Sequence, residues 1–217
     1  MDETILHLIN ERWTNGFFDY LMPVVSATEI WKPVFLIAFA LALIIGKFRA
    51  RACVICMIII LLIGGEVTHV LKTAIDRRRP KQVDVVRMVE LQKVKPDILK
   101  AFHQPSVRFS DQSDRNPKRS GPSFPSGHTT HNTIIALCLT LFYPRRGWLY
   151  WIVAAVVGYS RIYLGAHWAS DIIATLFLAA GETLLLLALF EIAWRRLSPR
   201  WLPGLHERHP SLLGLTP

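Results

Sequence analysis

His167 and Asp171 stand four residues apart in the stretch SRIYLGAHWASD, inside a segment otherwise apolar enough for a bilayer. One helical turn separates them, so the carboxylate can hydrogen-bond the imidazole and fix its tautomer. The other ring nitrogen is then left as a nucleophile. Lys72 and Arg79 are seven residues apart, close to two turns, so both can face one way. Arg79 precedes a proline and is expected at or just past a helix end. Ser126, Gly127 and His128 mark a helix start, where unpaired amides and the dipole favour an anion, and Gly127 allows close backbone approach. Arg161 adds another fixed positive charge. Cations, helix-end amides and a carboxylate-backed imidazole are what phosphoryl transfer requires.

These groups need elements to carry them. Of 217 residues, 52% are hydrophobic, and mean hydropathy is +0.32. Apolar residues come in blocks with charges at the block edges, the pattern of a polytopic membrane protein. The net charge of +9 sits mainly on those edges and in one long loop, which argues against nucleic acid as a partner. Cys53 and Cys56 form a C-x-x-C inside an apolar run without a βαβ context, so they read as small helix residues rather than a redox pair. The N-terminal MDETILHLINERW lacks a basic region followed by an apolar run, so it does not read as a cleaved signal peptide.

The expected fold class is all-α, a membrane bundle of five to six transmembrane helices with an N-terminal interfacial helix. Residues 1–29 form the amphipathic segment: a helix over 2–13, then an interfacial, re-entrant or short tilted piece around Pro23. Residues 30–194 form the membrane domain. Its spans are expected at about 30–46, 52–78, from PSGH to LFYPRRG, 148–163 and 168–194. The loop over 80–124 is polar and carries a short helix near Asp97–Phe102. A basic tail occupies 195–217.

The second helix ends and the third begins around the long loop, and the fourth ends and the fifth begins around LGAH. All four ends therefore lie on one membrane face. Taken singly, Lys72 and Arg79 could be basic flanks, His128 an interfacial cap, and Asp171 a cap of the last helix. Their convergence on one face favours a site.

The three motifs, K-x6-R-P (Lys72, Arg79, Pro80), P-S-G-H (Pro125 to His128) and S-R-x5-H-x3-D (Ser160, Arg161, His167, Asp171), resemble the signature of the type-2 phosphatidic acid phosphatase superfamily. The resemblance covers about Pro33 to Trp194. The long loop before PSGH and the extra Arg77 and Arg78 depart from the pattern. The resemblance implies metal-free chemistry with no cofactor. In it His167 attacks phosphorus, Asp171 orients the imidazole, and His128 protonates the leaving oxygen and then activates water. Lys72, Arg79, Ser126, Gly127 and Arg161 hold the phosphate. Neither an H-E-x-x-H motif nor a cysteine cluster offers metal ligands.

Glu66, His69, His131 and Glu182 are ionisable groups within spans. They stay outside the catalytic set: interhelical hydrogen bonding is favoured over a functional role, and His131 shares a helix face with His128 and could support it. The expected substrate is a lipid-linked phosphate or diphosphate: a polyprenyl diphosphate, phosphatidylglycerol phosphate, phosphatidic acid or a lipid A phosphate. A phosphotransferase and a silent lipid-binding or transport protein are the rival readings. The short loops opposite the site carry Lys47, Arg49, Arg51, Arg145 and Arg146, so the site is expected to face the extracytoplasmic side of a bacterial inner membrane.

Overall fold

The computed structural model describes residues 1–116 and 120–214. Residues 117–119, in the long loop, and 215–217, at the end of the tail, lie outside the described residues. The chain is mostly helical. A short α1 (Asp2–His7) continues as a π-turn (Leu8–Arg12), followed by α2 (Gly16–Ser26) and α3 (Thr28–Ile44). Then come α4 (Phe48–Ile75), α5 (Pro80–Val83), α6 (Gly127–Phe142), α7 (Tyr150–Tyr163), α8 (Ala169–Trp201) and α9 (Pro203–Arg208).

Two helical stretches, Phe48–Val83 and Ala169–Trp201, are long and apolar enough to cross a membrane. The bent pair α2–α3, broken by 51°, brings the number to three if it counts as one span. At 16 and 14 residues, α6 and α7 extend roughly 24 and 21 Å, short of the ~30 Å hydrocarbon core.

Local chemistry sets the helix ends. Asn15 caps α2 by accepting from the Phe18 amide at 2.9 Å. Ser126 caps α6, accepting from the Thr129 amide at 3.4 Å and the Thr129 hydroxyl at 3.1 Å. At its other end, α4 stops where Asp76 takes a left-handed conformation, φ 44°. This is earlier than Arg78, the expected end, so Arg79 leaves the helix altogether. Its side chain is placed by the extended backbone before Pro80 and not by two helical turns from Lys72.

Two apolar cores form. One joins α4, α6 and α8 through Met57, Ile60, Ile134, Cys138, Phe142 and Leu187. The other packs α1 and α2 against α7 through Leu6, Ile9, Met22, Ile162 and Tyr163, with Val86, Met88, Val89 and Trp168. The N-terminal helix is thus held against protein. Asn10, buried at the seam, donates to the carbonyls of Arg87 and Tyr163 and accepts from the Arg87 amide. Asp19 takes the Arg87 guanidinium at 2.5 Å and the Tyr163 hydroxyl at 2.6 Å.

The loop departs from the all-α expectation. Its 3-10 turn falls at Asp97–Phe102 as expected. Beside it an antiparallel ribbon pairs β1 (Arg87–Glu90) with β2 (Ser106–Phe109), Arg87 opposite Phe109. Four-residue strands carry too little alternation to be read, and it is the packing of Met88 and Val89 against the second core that holds them. At the far end α8 runs to Trp201, seven residues beyond Trp194, because basic residues end a membrane span without ending a helix. The tail then folds back. Glu191 accepts from the amides of Leu212 and Leu213 at 2.9 and 3.0 Å, and His209 stacks on Phe48 at 4.1 Å.

Candidate active site

Most of the expected site residues do gather where α4, α6, α7 and α8 end. His167 lies in the turn between α7 and α8, where Gly165 (φ 62°) lets the chain reverse. His167 is 2% exposed and Asp171 is fully buried. Arg79 lays Nη1 3.3 Å from Nε2 of His167 and donates from the same nitrogen to the Ala166 carbonyl at 3.0 Å. Its other nitrogens donate to the carbonyls of Gly121 and Pro122 at 3.1 and 3.2 Å. The guanidinium is therefore fixed by carbonyls, and no carboxylate pairs with it directly among the described residues.

Arg161 donates to the Ser26 hydroxyl at 3.0 Å, and its buried Nε has no partner among the described residues. His128 meets the Ser26 carbonyl through Nε2 at 3.0 Å, with the Thr28 hydroxyl at 3.2 Å. A carbonyl only accepts, so this nitrogen carries the hydrogen. The α2–α3 break thus meets both His128 and Arg161, contacts that sequence reasoning missed. Lys72, half-buried, has no hydrogen-bond partner among the described residues and feels the charges of Arg79 and Arg161. At the start of α6, the Ser126 amide already donates to Thr175 at 3.0 Å and the Ser126 hydroxyl caps the helix. Gly127 is different: a Cβ there would meet nothing within 4 Å. The open space lies beside the first amides of α6, which have no intrahelical acceptor.

The expected direct bond between Asp171 and His167 is not made. Nδ1 of His167 lies 3.8 Å from Oδ2 of Asp171, beyond hydrogen-bonding distance. Asp171 instead caps its own helix, accepting from the Trp168 amide at 3.0 Å, and takes Arg77 Nη1 at 2.6 Å and the Ser123 hydroxyl at 2.5 Å. One-turn spacing brings the two side chains near each other, but capping geometry decides where the carboxylate points. Arg77 also donates to Ser170 at 2.9 Å and to Asp2 at 2.7 Å. Arg77 was visible in the sequence only as an extra basic residue, and Ser123 only as a neighbour of PSGH.

Charge and burial act together on these groups. Burial pushes His167 below the usual imidazole value; Asp171 opposes the shift, and the cations Arg79 and Arg161 add to it. Burial also presses the Arg79 guanidinium below its ordinary value, against the pull of Asp171. Glu66 and His69 lie on the exposed face of α4. Glu182 faces Gly64 with one buried oxygen unpartnered among the described residues. No group of three or more His, Cys, Asp or Glu residues is arranged to hold a metal among the described residues.

A helical membrane bundle whose helix ends gather two histidines, an aspartate and three cations around an open helix start defines a class, and the sequence profile of that class matches. Residues 52–196, two thirds of the chain, match the PAP2 superfamily, and the chain belongs to it. The fold is similar to the crystal structure of a transmembrane PAP2-type phosphatidylglycerolphosphate phosphatase from Bacillus subtilis, with TM-score 0.59 and 20% identity over 88% of this chain and 85% of that one. In sequence the chain is 40% identical over 90 residues to a non-specific acid phosphatase of Salmonella typhi, covering 36% of this chain and 33% of that one. It is 44% identical over 59 residues to an undecaprenyl-diphosphatase of Sulfolobus acidocaldarius, covering 27% and 29%. A lipid A 4'-phosphatase of Porphyromonas gingivalis is 44% identical over 52 residues, covering 23% and 22%. The matched stretches span a third or less of each of these three relatives.

Proposed function

We propose that the chain is an integral membrane phosphatase that hydrolyses a lipid-linked phosphate or diphosphate at the membrane surface. The observation that carries this reading is the meeting of Arg79 Nη1 and His167 Nε2 at 3.3 Å. A fixed cation lies against the nitrogen proposed as nucleophile. Phosphatase and lipid-phosphatase relatives support the reading. In it α3, α4, α6, α7 and α8 all cross the bilayer, with Trp148, Tyr150 and Trp151 at the interface helping the short α7.

His167 Nε2 attacks phosphorus in line, forming the N–P bond as the P–O bond to the lipid breaks. His128, protonated, gives its proton to the departing oxygen. Arg79, Arg161, Lys72 and the first amides of α6 take the charge that develops on the equatorial oxygens. Asp171 stabilises the imidazolium. In the second step His128 accepts a proton from water, whose oxygen attacks phosphorus and releases phosphate and free His167. The electrostatic work falls to side chains and helix-end amides, so no metal is required.

The test is phosphate release by the purified protein in detergent, with chelator present. The panel is farnesyl diphosphate, phosphatidylglycerol phosphate, dioctanoyl phosphatidic acid and lipid A. Turnover of at least one, abolished in His167→Ala and accompanied by an acid-labile phosphoenzyme in wild type, is expected. Full turnover by His167→Ala, or activity that requires added magnesium, overturns the proposal.

A further inference from the structure

We propose that Ser123 is a positioning residue: its hydroxyl links the carboxylate of Asp171 to the imidazole of His167. This deepens the reading above and rests on His167 being the nucleophile. The Ser123 oxygen lies 2.5 Å from Oδ2 of Asp171 and 3.4 Å from Nδ1 of His167, while the carboxylate and imidazole are 3.8 Å apart. A hydroxyl has one hydrogen to give and lone pairs to receive with. An ionised carboxylate only accepts, so the hydrogen of Ser123 goes to Asp171. What Ser123 offers the imidazole is a lone pair, which requires Nδ1 to carry the ring hydrogen.

The other side of the ring demands the same tautomer. Arg79 Nη1 only donates, and it faces Nε2 at 3.3 Å, so Nε2 holds the lone pair. Two independent neighbours thus agree, and the nitrogen left with a lone pair faces the anchoring cation. Asp171 does not make the contact itself, its oxygen lying 3.8 Å from Nδ1. Its oxygens are already held by Arg77 and by the Trp168 amide, which fix it as the cap of α8. Ser123 is itself fixed and fully buried, since its amide donates to the Arg77 carbonyl at 2.7 Å. Arg77 therefore places both ends of the link, one through its side chain and one through its backbone. When Nε2 is phosphorylated, the positive charge on the ring reaches Asp171 through the Ser123 hydroxyl.

The experiment compares Ser123→Ala, Ser123→Thr and His167→Ala with wild type, using farnesyl diphosphate or dioctanoyl phosphatidic acid, whichever is turned over faster. Thermal midpoints in detergent, read alongside, set an assay temperature at which each variant is folded. Ser123→Ala is expected to lower kcat 10- to 100-fold with KM within twofold, and to slow the burst of phosphoenzyme by the same factor. Its acid limb of kcat against pH should move, because the ring loses an acceptor for its hydrogen. Ser123→Thr, which keeps the hydroxyl, should recover at least part of the lost kcat. A Ser123→Ala enzyme with kcat within threefold of wild type and an unmoved pH profile overturns the inference, as does a loss carried by KM alone. If His167→Ala is inactive in the same experiment, the proposed function survives that failure. If His167→Ala turns over fully, both fall.

Discussion

Arg77 grips Asp171 at 2.6 Å with one guanidinium nitrogen and Asp2 at 2.7 Å with another. The same Asp2 accepts from the amide and hydroxyl of Ser170. Three chain segments, distant in sequence, are thereby joined at the start of α8: the first helix, the linker after α4, and the turn that carries His167. The N-terminal helix lies outside the stretch that matches the superfamily profile, yet through Arg77 it is tied to the Asp171 carboxylate.

Removing Arg77 leaves a buried carboxylate without its main counter-charge. Because Arg77 is 36% exposed, the cost is scaled down from that of a fully buried pair to about 1–3 kcal/mol. Arg77→Ala should lower the thermal midpoint by several degrees and kcat by roughly 10- to 100-fold. Asp2→Asn removes only the outer partner and should keep kcat within about fivefold. Equal losses in the two variants would show that the tie works from the N-terminal side instead.

The pH dependence follows from His167. Its value in the folded protein lies below the unfolded ~6.5, so folding favours the neutral ring. Stability from this group is complete above ~6.5 and declines as pH falls toward the folded value, because the unfolded chain takes up the proton first. The proposed nucleophile also stays neutral at pH 6. The acid limb of kcat/KM attributable to His167 should therefore fall below the ordinary histidine range, and melting in detergent should shift downward below pH 6.5. An acid limb assigned to His167 at or above 6.5 contradicts the burial.

Two glycines differ in the space beside them. At Gly127 a Cβ meets nothing within 4 Å, while at Gly165 it meets Val86 Cγ2 at 2.8 Å on a backbone with φ 62°. Gly127→Ala should keep or slightly raise the thermal midpoint, since alanine favours a helix, yet reduce kcat/KM at least tenfold by filling the phosphate's place. Gly165→Ala should lower the midpoint by several degrees. A Gly127→Ala enzyme as active as wild type would move the phosphate away from α6.

Membrane orientation can be read with thiols. Cys53, Cys56 and Cys138 are buried and unpaired, so a variant lacking all three supplies the background. Ser113 is exposed in the long loop, and Arg200 is exposed near the end of α8, whereas Ser198 is buried and unsuitable. In intact cells, or spheroplasts where an outer membrane intervenes, an impermeant reagent should label Ser113→Cys and spare Arg200→Cys. Labelling of Arg200→Cys alone reverses the orientation.

Much of this was legible in the residues themselves. Apolar blocks and their basic edges announced the helices, and the short helix expected near Asp97–Phe102 is present as a 3-10 turn. The convergence of Arg79, His167, His128 and Arg161 followed from which helix ends share a face. Other features left no periodic mark. The strands at 87–90 and 106–109 are too short to alternate convincingly, and α4 ends at a left-handed Asp76 rather than at Arg78, because an aspartate can tolerate that conformation at a helix end.

The sequence by itself determined the membrane class, the order of the motifs and the chemical types that meet at the site, because hydropathy and helical spacing are local properties of the chain. Only the tertiary structure decided who touches whom. Asp171 could have met His167 directly, but capping of α8 and the grip of Arg77 hold it 3.8 Å away, and Ser123 fills the interval. Hydrogen bonds are short and directional, so fractions of an ångström in the placement of three backbone segments settle a partnership that spacing along one helix leaves open.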